Sequence, residues 1–145
     1  MRNRWNLKIV LVLLLLLLVA AGCGSQEPAA TGSQDESDPL VITSENLAGD
    51  EELAEGVLEI AECAVLATAD FGRLLLLWPP EVASWNPDQR EVEFTQPDEA
   101  VVALQDGATL GVGGSLVDDL SSISLATTIS PDCEYTAAWA VTSFI

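Results

Sequence analysis

The chain predicts a mainly β domain, a small antiparallel barrel of OB-like kind or a sandwich, held by one disulfide and preceded by a disordered tether. Three observations lead there. Short apolar runs recur along the second half, separated by Gly, Pro and Asp-Gly. Glu91-Val92-Glu93-Phe94-Thr95 alternates with period two. Cys63 and Cys133 form an even pair in a chain that carries export features.

Residues 40–64 admit two assignments. Ser44 and Asp50-Glu51-Glu52 can open a helix through Leu53, Val57, Ile60 and Ala64, which gives an α+β alternative with a helix near 50–64. Gly56 interrupts that pattern. Val57-Leu58-Glu59-Ile60 and Cys63-Ala64-Val65-Leu66 then read as two short strands after a helical turn over residues 50–54.

Further on, the strands are plainer. Arg73 to Trp78 is apolar after its first residue and bounded by Gly72 and Pro79-Pro80, too short for a stable helix and closed by residues that cannot continue a ladder. In Glu91–Thr95, Val92 and Phe94 share one face. Residues 101–104 and 108–112 flank Gln105-Asp106-Gly107, where Asp-Gly predicts a hairpin with a type I′ turn. Gly111-Val112-Gly113-Gly114 follows with no Lys, so it reads as a bulge or barrel corner rather than a phosphate loop. A last strand is expected from Trp139 to Ile145.

Ahead of this domain, residues 23–39 are acidic, Gly/Ser/Pro-containing and without apolar periodicity, the composition of a flexible tether. The first eight residues hold three of the five bases, Arg2, Arg4 and Lys8, and the twelve from Ile9 to Ala20 are all apolar. That is the pattern of a secretory signal over residues 1–22. Twelve helical residues reach about 18 Å, short of the roughly 30 Å hydrocarbon core.

The signal ends in Ala20-Ala21-Gly22-Cys23, which resembles the lipobox of bacterial lipoprotein precursors, although Leu is commoner than Ala at position 20. The resemblance covers the first 23 residues. It implies cleavage after Gly22, a diacylglyceryl thioether on Cys23, acylation of the new amino terminus and anchorage to a membrane through that lipid. Two or three acyl chains, at about 0.8 kcal/mol per buried CH₂, hold where one would be marginal. Residues 40–145 resemble, loosely, short exported bacterial β domains, through Cys63, Trp78-Pro79-Pro80, Asp106-Gly107, Gly111–Gly114 and Cys133; no activity comes with that likeness.

Removing residues 1–22 from the 145 leaves 123, enough for one domain with its own core. All 23 acidic residues remain, against Arg73 and Arg90 alone, a formal balance of −21 with no Lys and no His. Such a field disfavours nucleic acid and anionic surfaces and favours cations or basic partners. High-salt surroundings would relieve the self-repulsion. With Cys23 lipidated, Cys63 and Cys133 are expected to pair, the alternative being two buried thiols.

The residue inventory limits chemistry. Ser-His, Cys-His and Ser-Lys nucleophilic mechanisms lack their base, and two cysteines without His are too few for zinc. Asp118 and Asp119, joined by Ser115 or Asp106, are weak candidates for Ca²⁺, lacking EF-hand spacing, and also read as a solvated acidic loop. Trp85, in a Pro-flanked loop, is a candidate contact for a glycan or a Pro-rich peptide, or a lid on the barrel. The expectation is a non-enzymatic extracytoplasmic lipoprotein, free of cofactors, that meets an envelope protein or glycan. The alternatives are a Ca²⁺- or glycan-binding module and a small carboxylate-dependent hydrolase.

Overall fold

The computed structural model describes residues 38–47 and 52–145. The signal segment, Cys23, tether residues 24–37 and the expected helix start at Asp50-Glu51 lie outside those residues.

The strands are β1 (Val41–Ile42), β2 (Glu52–Ile60), β3 (Ala64–Thr68), β4 (Gly72–Trp78), β5 (Ala83–Asn86), β6 (Glu91–Thr95), β7 (Val101–Gln105), β8 (Thr109–Val117) and β9 (Ala137–Phe144). A single 3-10 turn, Leu120–Ser122, is the one helical element among the described residues.

Five strands close a barrel in the order β4-β3-β2-β8-β9, with β9 returning to β4. Only the β4–β9 seam is parallel, with Leu74 opposite Ala137 and Leu77 opposite Ala140. Counted along the chain, the barrel strands run 1-2-3-5-4 and close on 1, the Greek-key order of OB-like barrels. The sandwich alternative gives way to this closed seam.

The helix near 50–64 is also overturned, because β2 follows period two rather than 3.6. Ala54, Leu58 and Ile60 face the interior, while Leu53, Glu55, Val57 and Glu59 face out. Both edges of β2 are paired, to β3 and to β8, so its backbone groups are satisfied across the sheet. Leu53, Val57 and Ile60 matched helical spacing only because Leu53 and Val57 are exposed apolar residues on the outer face.

Why Leu74 to Trp78 in β4 is apolar throughout becomes clear from its two faces. Leu74, Leu76 and Trp78 point into the barrel and pack with Leu58, Leu66, Trp139 and Phe144. Leu75 and Leu77 point outward and are buried as well, in a second cluster with Val41, Cys63, Val65 and Ala138. A strand covered on both faces loses its polar alternation.

The second cluster exists because the long connection from Asp118 to Thr136 folds back over the outer face of β3 and β4. Its Leu120, Ile123, Leu125 and Ile129 pack on that cluster. It also joins β1: Thr43 bridges Leu125, the Ala126 N–H donates to Ile42 O at 2.7 Å, and Thr127 Oγ1 donates to Leu40 O at 3.0 Å.

The segment between β4 and β8 builds a second sheet, β5-β6-β7. Val92, Phe94 and Leu104 on its inner face enter the barrel core. Phe94 meets Phe144 edge-on at 4.8 Å between centroids and Trp78 at 6.1 Å, so the sheet covers one mouth of the barrel. At the other mouth Phe71 lies 6.1 Å from Trp139.

The expected 101–112 hairpin does not form. β7 pairs with β6, and β8 pairs with β2 and β9, so Asp106-Gly107 turns the chain from one sheet to the other. Of the two, Gly107 alone has positive φ (79°), whereas a type I′ turn needs it at both. The end of β2 takes the bonds a hairpin would have used: Asp106 Oδ1 accepts from the Ile60 N–H at 2.8 Å, and the Gly107 N–H donates to Leu58 O at 2.7 Å.

The bulge expected in the glycine run is present. Gly113 lies opposite Ser143 but Gly114 opposite Val141, leaving Thr142 as the extra residue. Val141 and Phe144, three apart, therefore both reach the core.

Candidate functional site

Cys63 and Cys133 are joined in a disulfide, with Cα atoms 5.5 Å apart. Cys63 lies just before β3 and Cys133 near the end of the 118–136 connection, so the bond fastens that connection across the barrel wall. Arg73 on β4 holds the same region electrostatically, with Nη2 3.0 Å from Glu59 and Nη1 3.6 Å from Glu134. Both pairs are solvent-exposed and contribute little beyond register.

The entry of the chain into the domain is fixed beside this staple. The Leu40 N–H donates to Asp38 Oδ1 at 2.9 Å, and Ala64 N–H to Pro39 O at 3.0 Å. Asp38 and Pro39, the last tether residues by sequence, thus contact the domain. A shallow hollow of about 620 Å³ lies here, between Pro39, Val41 and residues 126–131.

Trp85 sits within β5 rather than in a loop, opposite Val92. Pro79-Pro80 and Pro87 bracket so short a segment that its sequence carries no strand signal, although four of its residues form an edge strand. Its ring is half-buried against the barrel core, and Nε1 is buried without a protein acceptor. The geometry is that of a side chain on the inner face of the covering sheet.

Asp118 is exposed at the end of β8, and Asp119 caps the 3-10 turn. Asp119 Oδ1 accepts from the Ser121 hydroxyl at 2.6 Å and from the Ser121 N–H at 3.0 Å. The hydroxyl first, and the amide second, hold its carboxyl below the ordinary value of 3.8. Asp106 lies beyond the opposite end of the nine-residue β8, so the structure does not gather it with Asp118 and Asp119. Among the described residues no three His, Cys, Asp or Glu side chains converge as metal ligands.

One feature was not anticipated from sequence. Between the barrel mouth and the covering sheet runs an open cleft of about 290 Å³, lined by Leu47, Pro79, Val82, Phe94, Pro97 and Val141 with Thr142 at the bulge. Its residues come from four separate segments, so no local pattern marks it. The surplus residue in β9 is the one signal, because a bulge re-aims side chains beside a mouth. Thr43 is the sole buried polar residue among those described, so none of the described carboxylates is buried. No family model, curated protein or solved structure matches the chain.

Proposed function

We propose that the chain is a lipid-anchored extracytoplasmic lipoprotein whose β domain binds an envelope partner and catalyses no reaction. The observation that carries this reading is the Cys63–Cys133 disulfide. It uses both cysteines beyond Cys23 and suits an oxidising compartment. Cys23, directly after Ala20-Ala21-Gly22, is then the one thiol left for lipid.

The non-catalytic part rests on the inventory of side chains. Beyond residue 22 there is neither His nor Lys to act as base. A carboxylate general acid works through a raised pKa, which burial supplies, and the described carboxylates lie outside the core.

Nucleic acid is a poor candidate partner on two grounds. The charge balance of −21 repels phosphates. OB-like barrels bind oligonucleotides and oligosaccharides on the face around their second and third strands. Here β3 and β4 occupy those places, and their outer face is covered by residues 118–136.

Replacing Cys23 tests the anchor. Wild type should partition with membranes, and Cys23→Ser should remain uncleaved or appear in the soluble exported fraction without acyl label. Acyl labelling that survives Cys23→Ser would refute the assignment.

A further inference from the structure

The cleft between the barrel mouth and the covering sheet combines an apolar floor with a rim of one charge. The floor is Leu47, Pro79, Val82, Phe94, Pro97 and Val141. The lining residues are followed or preceded in sequence by acids, Glu45 before Asn46, Glu81 before Val82, and Asp98-Glu99 directly after Pro97, all exposed, which sets negative charge around the opening. The Glu99 N–H donates to Gln96 O at 2.9 Å, which keeps the Asp98-Glu99 turn folded against the cleft wall.

Neither base of the domain is near. Arg73 is the second residue of β4, at the end away from Pro79, and is engaged by Glu59 and Glu134. Arg90 lies in the β5–β6 turn, whereas the cleft opens at Val82 and Thr95, the far end of those strands. The potential over the opening is therefore negative without local compensation.

Size decides among occupants. At about 290 Å³ the cleft is at or below the smallest volumes typical of small-molecule sites, while it suits one large anchoring side chain. We infer that it receives a basic peptide segment of a partner protein, seating one bulky apolar side chain against Val82, Phe94 and Val141 while flanking Lys or Arg residues meet Glu81, Asp98 and Glu99. The negative rim raises the encounter rate with such a segment, and the anchor supplies the specificity.

The inference rests on reading the domain as a binding module. Its test uses the full chain in maltoside detergent and titration calorimetry at low salt. The probe is a nine-residue peptide, acetyl-Gly-Lys-Lys-Ser-Trp-Ser-Lys-Lys-Gly-amide. Expected is a dissociation constant of about 100 μM or tighter, weakened about tenfold by 0.5 M salt. Replacing the peptide's Trp by Ala, or its Lys residues by Gln, should each weaken binding at least about tenfold. So should Thr142→Trp, which fills the cleft, and separately Glu81→Gln/Asp98→Asn/Glu99→Gln, whose exposed positions leave the fold intact.

Equal binding of the Ala peptide would show attraction to overall charge alone and overturn the inference. Absence of binding, or binding unchanged in the rim variant, would do the same. Crosslinking in the native envelope separates the two readings: a partner captured equally by wild type and Thr142→Trp overturns the cleft while leaving the binding module.

Discussion

Leu75 and Leu76 are adjacent in sequence, both fully buried, and belong to different cores. Leu76 fills the barrel, whereas Leu75 lies outside it beneath the 118–136 connection. Truncating either to Ala should cost about 2–5 kcal/mol. The two should differ in coupling: Leu75→Ala combined with Cys63→Ser/Cys133→Ser should be non-additive, because both loosen the same flap, while Leu76→Ala should add. Denaturant unfolding of the single and combined variants measures this, and equal coupling for both leucines would contradict two separate cores.

The disulfide closes a loop of 70 residues, for which the chain-entropy model gives about 4 kcal/mol. Cys63→Ser/Cys133→Ser should lower the unfolding free energy by up to that amount. It should also raise binding of a hydrophobic dye, as Val65, Leu75 and Leu77 become accessible. Intact mass with alkylation under non-reducing conditions checks the wild-type bond directly, which should leave neither cysteine labelled.

Gly114 passes directly under the Trp139 indole. A Cβ there would lie 2.5 Å from Nε1 and would collide with the Ala140 carbonyl oxygen. That oxygen belongs to backbone and cannot swing aside, so Gly114→Ala should cost about 1–3 kcal/mol or more. Trp139 fluorescence and thermal unfolding would register it. A neutral outcome would mean that β8 and β9 do not cross so closely.

Trp85 packs on the core through its ring and gives Nε1 no protein acceptor. Trp85→Phe keeps an aromatic ring and removes no protein hydrogen bond, so stability should change by less than about 1 kcal/mol. Trp85→Ala should cost about 2–3 kcal/mol, less than a fully buried aromatic because the residue is half-buried. Equal effects of the two substitutions would rule out a packing role.

For Asp119 the predicted effect depends on pH. Its carboxyl titrates below 3.8 in the folded chain because the Ser121 hydroxyl and amide bond the charged form. A depressed folded value means that the stabilisation is present above the unfolded value and is lost as pH falls through the folded one. The melting-temperature difference between wild type and Asp119→Ala should therefore be steady near neutrality and shrink below about pH 3.8. A gap that widened on acidification would contradict the capping geometry.

How much of this was legible beforehand can be judged strand by strand. Val92 and Phe94 announced their inward face, because β6 has one face on the core and one in solvent. β4 was recognisable through its bounding Gly72 and Pro79, although its second buried face was not, since residues 118–136 carry no pattern that says where they dock. The Cys63–Cys133 pair was expected from the export-like sequence features and an even count beyond Cys23. Asp106-Gly107 misled because a local turn signal cannot report that β2 competes for the same bonds. The cleft was invisible for a related reason: Leu47, Val82, Pro97 and Thr142 are brought together only by closure of the barrel.

The central claim is that Cys23 is the lipidated first residue of the mature chain. Intact mass and fragment sequencing of the protein extracted from membranes test it most directly. The account predicts an amino-terminal Cys23 bearing a thioether diacylglyceryl group, with Cys63 and Cys133 disulfide-bonded in the same molecule. A mature chain that begins at any other residue, or begins at Cys23 with an unmodified thiol, would contradict it.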